Sequence, residues 1–444
     1  MESTGRINKV QLFVALGIIV LIGIFGFYLG QTNSKLTLNI ITGVALGYIL
    51  TRSRFGFAGG IKRIYITGEG SLTKALLIMF AISLIATAGI HWAAAANGAV
   101  PSYMASEGAA VIPGSSSVGA FNISTILGGF IFGIGMMIAG GCASGTLSDL
   151  GEGAIRAAIA LLFFVLGAVP GHALRYRIAE TAIGKIKATV YLPHVFGYVG
   201  AVIVSLLILL ALYVVTRKYE DFRKKEGYYQ KNVYEPDELP LPENKDFKLF
   251  SYRTYHKFFI ERWSFLKGGI LLSIMFVFII NTTGSSWGVT SAFTKWGVAL
   301  LQGIGMEFTS PEFASIVESV NKGLLYDGGT LRNIGIIVGA ALALLLAGKF
   351  KFDYDFNLKD VLIYISGGFM MGFGARLAGG CNIGALYSSI CNFSLSGWIF
   401  LVALSLGGIA GLKLFEGRVN IIPANRYLRE KKIEENKVVE LKAQ

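Results

Sequence analysis

Cysteine is nearly absent from this chain, and so are most residues that carry chemistry in soluble enzymes. Three cysteines and four histidines serve 444 residues. Three thiols are too few for a disulfide framework. His91, His172, His194 and His256 share no ligand-like spacing, so no metal site and no cofactor is expected. Gly133-x-Gly135 lacks the strand and the third glycine of a dinucleotide site, and there is no Walker loop, so the sequence gives no sign of consuming nucleotide. Charge is scarce as well. Only 15% of residues are charged against 53% hydrophobic, and the mean hydropathy of +0.60 is too high for a soluble protein of this length.

What the chain does have is long apolar runs and glycine. The 57 glycines in 444 residues are close to twice the usual ~7%, which in lipid favours close helix packing and broken helices. The formal net charge of +13 sits mainly in a linker and a tail beside apolar spans, where it orients a protein against membrane lipid and gives no reason to expect nucleic acid. The first run, Val10 to Leu29, is too long for a signal-peptide core and is not followed by a small-residue cleavage site; it reads as a retained span.

Runs able to cross a bilayer fall at 10–30, 37–51, 75–97, 120–139, 154–171, 195–216, 267–283, 331–348, 361–378 and 396–414, which makes the fold class an all-α polytopic membrane protein of about ten helices. From Arg217 to Lys267 there are twelve Lys and Arg, nine acids and the run "EPDELPLPENK", read as a solvated linker. The expected division is 1–36 an N-terminal helix, 37–171 a first repeat, 172–266 a connecting helix and charged linker, 267–414 a second repeat, and 415–444 a charged tail. Basic residues place the linker, the tail, 51–63 and 349–359 in the cytoplasm of a bacterial cell, while Gly98 to Ser117 and Gly303 to Thr330 fit the outside. Ten spans then leave 172–194, with Arg175, Arg177, Lys185 and Lys187, outside against the charge rule.

The runs "GGFIFGIGMMIAGGCASG" (128–145) and "GGFMMGFGARLAGGCNIG" (367–384) share ten identities in eighteen positions without a gap. Under the ten-span threading one lies toward the cytoplasm and the other toward the outside. The halves are therefore expected to be inverted copies, an arrangement common in transporters, whose broken helices meet near the midplane. A fainter pair, "TRSRFGF" (51–57) and "TGSSWGV" (283–289), aligns Gly56 with Gly288.

Each repeat ends in Gly-Gly-Cys-x-x-Gly: Gly140, Gly141, Cys142 and Gly145 in the first, Gly379, Gly380, Cys381 and Gly384 in the second. A Gly-Gly pair at a helix end lets the chain turn with positive φ and brings N–H groups toward a ligand. In lipid such freed groups must line a cavity or meet other protein. We read these steps as parts of a transport path, with small buried thiols as the plainer reading. The upstream glycines, 128–135 and 367–374, read first as helix-packing notches. Arg376 faces either a cavity that suits an anion or the outer surface; Cys391 is either a relay thiol or a plain buried one. Arg54 is first an orienting charge.

With these motifs in view, the chain resembles the YeeE/YedE family of sulfur-transport membrane proteins. The resemblance covers most of both halves and rests on "SRFGFAGGIKRIYITGEG" (53–70), "GGFIFGIGMMIAGGCASGTLSDLGEG" (128–153), "SSWGVTSAFTKWGVALLQ" (285–302) and "GFGARLAGGCNIGALYSSICNFSLSGWIF" (372–400), the last two looking most like the YedE branch. It implies an hourglass of inverted repeats whose re-entrant glycine-rich loops meet at the waist. It also implies uptake of thiosulfate past cysteines corresponding to Cys142 and Cys381, and a small cytoplasmic sulfur-carrier or sulfurtransferase partner. Many members have cysteine where this chain has Gly56, which brings forward a selenium species as an alternative cargo. A membrane sulfurtransfer enzyme forming a persulfide is the reading from another class. It needs a base beside a thiol; neither step contains a histidine, and Asp149 and Glu152 follow only the first.

Overall fold

The computed structural model describes residues 8–231, 234–242, 251–354, 357–419 and 422. Most of the expected tail, 415–444, lies outside them. Among the described residues there is no strand, and ten helical segments are long and apolar enough to cross a membrane. The helices that matter below are α1 (Lys9–Thr32), α2 (Ser34–Ser53), α3 (Phe57–Thr67), α4 (Ser71–Ala96), α5 (Ile123–Ile138), α6 (Ala143–Gly151), α7 (Ile155–Glu180), α8 (Leu192–Lys225), α9 (Phe265–Thr283), α10 (Thr290–Gly303), α11 (Gly328–Ala347), α12 (Leu358–Ala378) and α13 (Leu395–Phe415).

Local sequence explains where they start. The two helices that carry the repeated glycine run, α5 and α12, each open on an asparagine capping box. Asn122 Oδ1 accepts from the Ser124 N–H at 3.0 Å while Thr125 Oγ1 accepts from the Asn122 N–H at 3.4 Å; Asn357 and Asp360 exchange the corresponding bonds at 3.1 Å. Two helices outrun the apolar pattern. α8 continues to Lys225, past the expected linker start at Arg217, because its polar end is tied down: Glu220 takes Lys74 at 2.7 Å and Lys224 at 2.8 Å, and Arg223 donates to the Tyr65 carbonyl at 3.1 Å. α7 likewise runs on through Pro170 to Glu180, so Arg175 and Arg177 are helical.

The core is made by backbones in contact. α5 crosses α12 antiparallel, with Gly128 against Gly374 and Gly135 against Gly367. α7 lies parallel to α12 through Gly167, Gly171, Gly368 and Gly372, and α13 lies parallel to α5 through Gly129, Gly133, Gly407 and Gly411. The glycines read as packing notches are notches. α2 and α11 meet in the same way through Gly43, Gly47, Gly335 and Gly339. α1 and α8 are peripheral and turn apolar side chains such as Phe13, Phe27, Val199 and Leu207 outward, as lipid-facing helices do.

The relative directions of these four helix pairs are those that an alternating threading requires. Arg54 reaches Glu238 at 3.4 Å, Lys349 reaches Asp237 at 2.9 Å, and the Gln11 amide donates to the Phe350 carbonyl at 2.9 Å. These contacts gather the linker and the ends of α2 and α11 at one end of the bundle. At the other end, the Gly114 N–H donates to the Gly284 carbonyl at 2.9 Å, Phe121 pairs with Ala188, and His172 Nε2 lies 3.0 Å from the Glu312 carbonyl. The basic segment 172–194 is therefore on the end away from the linker.

Candidate functional site

The first glycine-cysteine step follows α5. Gly140 takes φ of 85°, the left-handed turn that the Gly-Gly pair was expected to supply, and Cys142 caps α6 with its carbonyl accepting from the Thr146 N–H at 2.7 Å. Its sulfur lies 3.4 Å from Ser144 Oγ. The second step follows α12. Gly379 takes φ of 90°, and the Gly380 N–H donates to the Ala375 carbonyl at 2.7 Å. Cys381 then opens a π-helical turn, Asn382–Ser388, with its carbonyl accepting from the Ala385 N–H at 2.8 Å. After each step the chain makes one short helical segment and turns into a long helix, α7 or α13.

The two sulfurs belong to one neighbourhood. Cys142 and Cys381 are each 1% exposed and sit in the same apolar cluster. Asn382 reaches across from the second step to α5, its amide 3.4 Å from the Met136 sulfur, and its buried Oδ1 has no hydrogen-bond partner among the described residues. Gly145 stands beside Cys142, close enough that a Cβ there would be 3.7 Å from the sulfur. Cys391 is elsewhere in that core. Its sulfur points at the Phe80 carbonyl of α4, 3.8 Å away, beside Tyr387.

On the end away from the linker, a polar cavity of about 270 Å³ opens over the second step. Gly288, Gly379 and Gly384 all line it, together with Trp287, several serines and Arg175. The structure thus joins the fainter motif of the second half to the stronger one. Arg376 lies a turn before the step, with Nη2 3.2 Å from His172 Nδ1, and its buried Nε has no hydrogen-bond partner among the described residues. Arg175 is the residue that the motifs missed. Its guanidinium lies over Gly379 and fills the space a Cβ there would need. The available signal was the charge-rule exception: four basic residues on the side where few belong.

The linker end is charged differently. Asp149, 3.8 Å from where a Cβ on Gly141 would sit, is paired with Arg156 at 2.6 Å. Glu152, in the loop after α6, is pushed up to about 7 by burial first and by the Asp149 charge second, while Thr51, Arg54 and Arg156 pull the other way. Gly56 lies between α2 and α3 in an extended conformation, φ −123° and ψ 127°, and a Cβ there would meet nothing within 4 Å. The left-handed residue of that break is Arg54, φ 46°, where the second half uses Gly284, φ 73°.

A bundle of lipid-length helices, interrupted by polar steps around buried thiols and a cavity, defines a multi-pass membrane protein of the transporter class. The sulphur transport family profile matches residues 52–410, and the chain belongs to that family. It is 27% identical to the thiosulfate transporter TsuA of Escherichia coli (strain K12) over 383 residues, 84% of this chain and 93% of the relative. The thiosulfate transporter TsuA of Spirochaeta thermophila is 28% identical over 286 residues, 64% of this chain and 75% of that protein. The probable transporter YedE of Escherichia coli is 32% identical over 158 residues, 36% and 39% of the two chains.

Proposed function

We propose that this protein takes up a small sulfur-containing anion such as thiosulfate across the bacterial cytoplasmic membrane, handing it from the Cys381 step to the Cys142 step. The observation that carries the reading is the meeting of the two Gly-Gly-Cys steps, 239 residues apart in sequence, in one buried core. Thiosulfate has a soft terminal sulfur and hard oxygens; a thiol offers a weak donor to the former, while N–H groups and a cation hold the latter. Weak contacts in series let a solute enter and leave without being trapped.

The inverted relation of the halves is part of the proposal. When α2, α3, α4, α5 and α7 are matched with α9, α10, α11, α12 and α13, the packing partners exchange. α7 on α12 becomes α13 on α5, α2 on α11 becomes α9 on α4, and α10 on α7 becomes α3 on α13, each of which is a contact in the structure. The crossing of α5 with α12 maps onto itself. Two re-entrant steps related by such an axis would face opposite sides, as alternating or channel-like passage requires.

Gly56, where the resemblance implies a third thiol, brings forward a selenium species as the alternative cargo. A small cytoplasmic sulfur-carrier or sulfurtransferase protein would receive the product at the linker end. Purified protein in vesicles, offered labelled thiosulfate, sulfate and selenite against empty vesicles, tests the reading. Thiosulfate is expected to enter and sulfate to be excluded. Entry of selenite alone would transfer the reading to selenium, and entry of none would overturn it. Persulfide on Cys142 or Cys381 after turnover would favour the sulfurtransfer enzyme.

A further inference from the structure

On the linker side of the second step, an apolar cavity of about 190 Å³ lies between α4, α8 and α13. The Lys74–Glu220 ion pair joins the start of α4 to the end of α8, and the Tyr65 hydroxyl, near the end of α3, donates to Glu416 just beyond α13 at 3.2 Å. These walls therefore belong to the end of the bundle that carries the linker. Two of the threonines in the lining already spend their hydroxyls, Thr73 on the Gly60 carbonyl at 2.6 Å and Thr216 on the Leu212 carbonyl at 2.8 Å. Water needs several polar partners in such a space, whereas apolar cavities stay dry and take hydrocarbon. Leu77, Leu212 and Leu401 are half-buried walls, and beside them Leu210 and Val214 of α8 and Val402 and Leu406 of α13 turn outward as lipid-facing residues do. At its inner end the cavity meets both interrupted elements, Phe57 where α3 begins after Gly56, and Asn382 next to Cys381.

We propose that this cavity seats one acyl chain of an anionic phospholipid from the cytoplasmic leaflet, and that the seated chain braces the second glycine-cysteine step. The charge at the rim selects the headgroup. Arg217 and Lys218 are exposed and follow directly on Thr216, where α8 leaves its apolar stretch, and basic residues in that position attract anionic lipid. From Thr216 to Leu209 the wall formed by α8 runs about 10 Å toward the midplane. A chain entering beside it ends against Leu386 and Ile390, in the segment that follows Cys381 and holds the π-helical turn. Side chains that line a void lack partner atoms on one side, and hydrocarbon seated there supplies those contacts and steadies the turn. The seat lies on the opposite side of the step from the polar cavity, and it does not depend on which anion is carried.

In the test, delipidated protein in detergent is offered phosphatidylglycerol or phosphatidylcholine, bound lipid is counted by native mass spectrometry, and backbone hydrogen exchange is followed over 382–391. Wild type is expected to hold one phosphatidylglycerol about tenfold more tightly than phosphatidylcholine, and exchange over 382–391 to slow when it is bound. Ser405→Phe, which puts a ring into the cavity from α13, should weaken retention about tenfold and remove the slowing. Leu401→Trp, on the same helix, repeats the test should the first variant fail to fold. The double variant Arg217→Gln, Lys218→Gln should bind the two lipids alike, and Leu207→Phe, on the lipid-facing side of α8, should behave as wild type. Equal retention of both lipids by wild type, or unchanged retention by folded Ser405→Phe and Leu401→Trp, would overturn the site. Unaltered exchange over 382–391 on lipid binding would overturn the bracing.

Discussion

Gly128 and Gly374 interlock. A Cβ on either would stand 2.6 Å from the carbonyl oxygen of the other. This reciprocal contact fixes the crossing of α5 with α12, and the crossing sets where the two helices end and so where Cys142 and Cys381 lie.

Gly128→Ala and Gly374→Ala should each destabilise the protein by about 1–3 kcal/mol or more, since backbone atoms rather than flexible side-chain ends stand in the way. Thermal unfolding in detergent measures this. Gly89→Ala on α4, where a Cβ meets nothing within 4 Å, is the matched control and should be neutral or slightly stabilising.

Glu152 gives a pH signature. Its folded-state pKa is raised from the usual 4.5 to about 7, so the folded protein binds more protons than the unfolded chain between those values. The associated stability is fully present below about 4.5 and is lost as pH rises toward 7. Thermal midpoints across this window should fall less steeply in Glu152→Gln than in wild type. An unchanged slope would show that Glu152 does not titrate there.

Lys349 joins Glu235 at 3.0 Å, Asp237 at 2.9 Å and Glu238 at 3.3 Å, and Glu238 is 3% exposed. Because breaking one partner strands a buried charge, Lys349→Ala and Glu238→Gln should each destabilise the linker end. A double-mutant cycle should return a coupling of about 0.5–3 kcal/mol. Additive effects would mean that the linker is held by other contacts.

Gly56→Cys should fold as wild type does, because its backbone is extended and the space beside it is open. If the path continues through that break, the added thiol should speed thiosulfate uptake; unchanged uptake would place Gly56 outside the path, and slower uptake would make its smallness the requirement.

Much of this was legible in sequence because lipid imposes it. Ten apolar runs gave ten helices, and the Gly-Gly pairs turned with positive φ at Gly140 and Gly379, since backbone that leaves a helix in a membrane needs a residue that tolerates it. The extension of α8 was hidden because charged turns held by Glu220 and Arg223 interrupt hydropathy but not helix. Arg175 was hidden for a different reason: it belongs to no motif, and only the fold brings it over Gly379.

The central claim is that a small sulfur anion passes both glycine-cysteine steps. Initial thiosulfate uptake by vesicles containing wild type, Cys142→Ser, Cys381→Ser and the double variant measures it most directly. The account predicts a fall of about tenfold or more for each single change, with Cys391→Ser, turned toward Phe80, much less affected. Wild-type uptake by the double variant would contradict it.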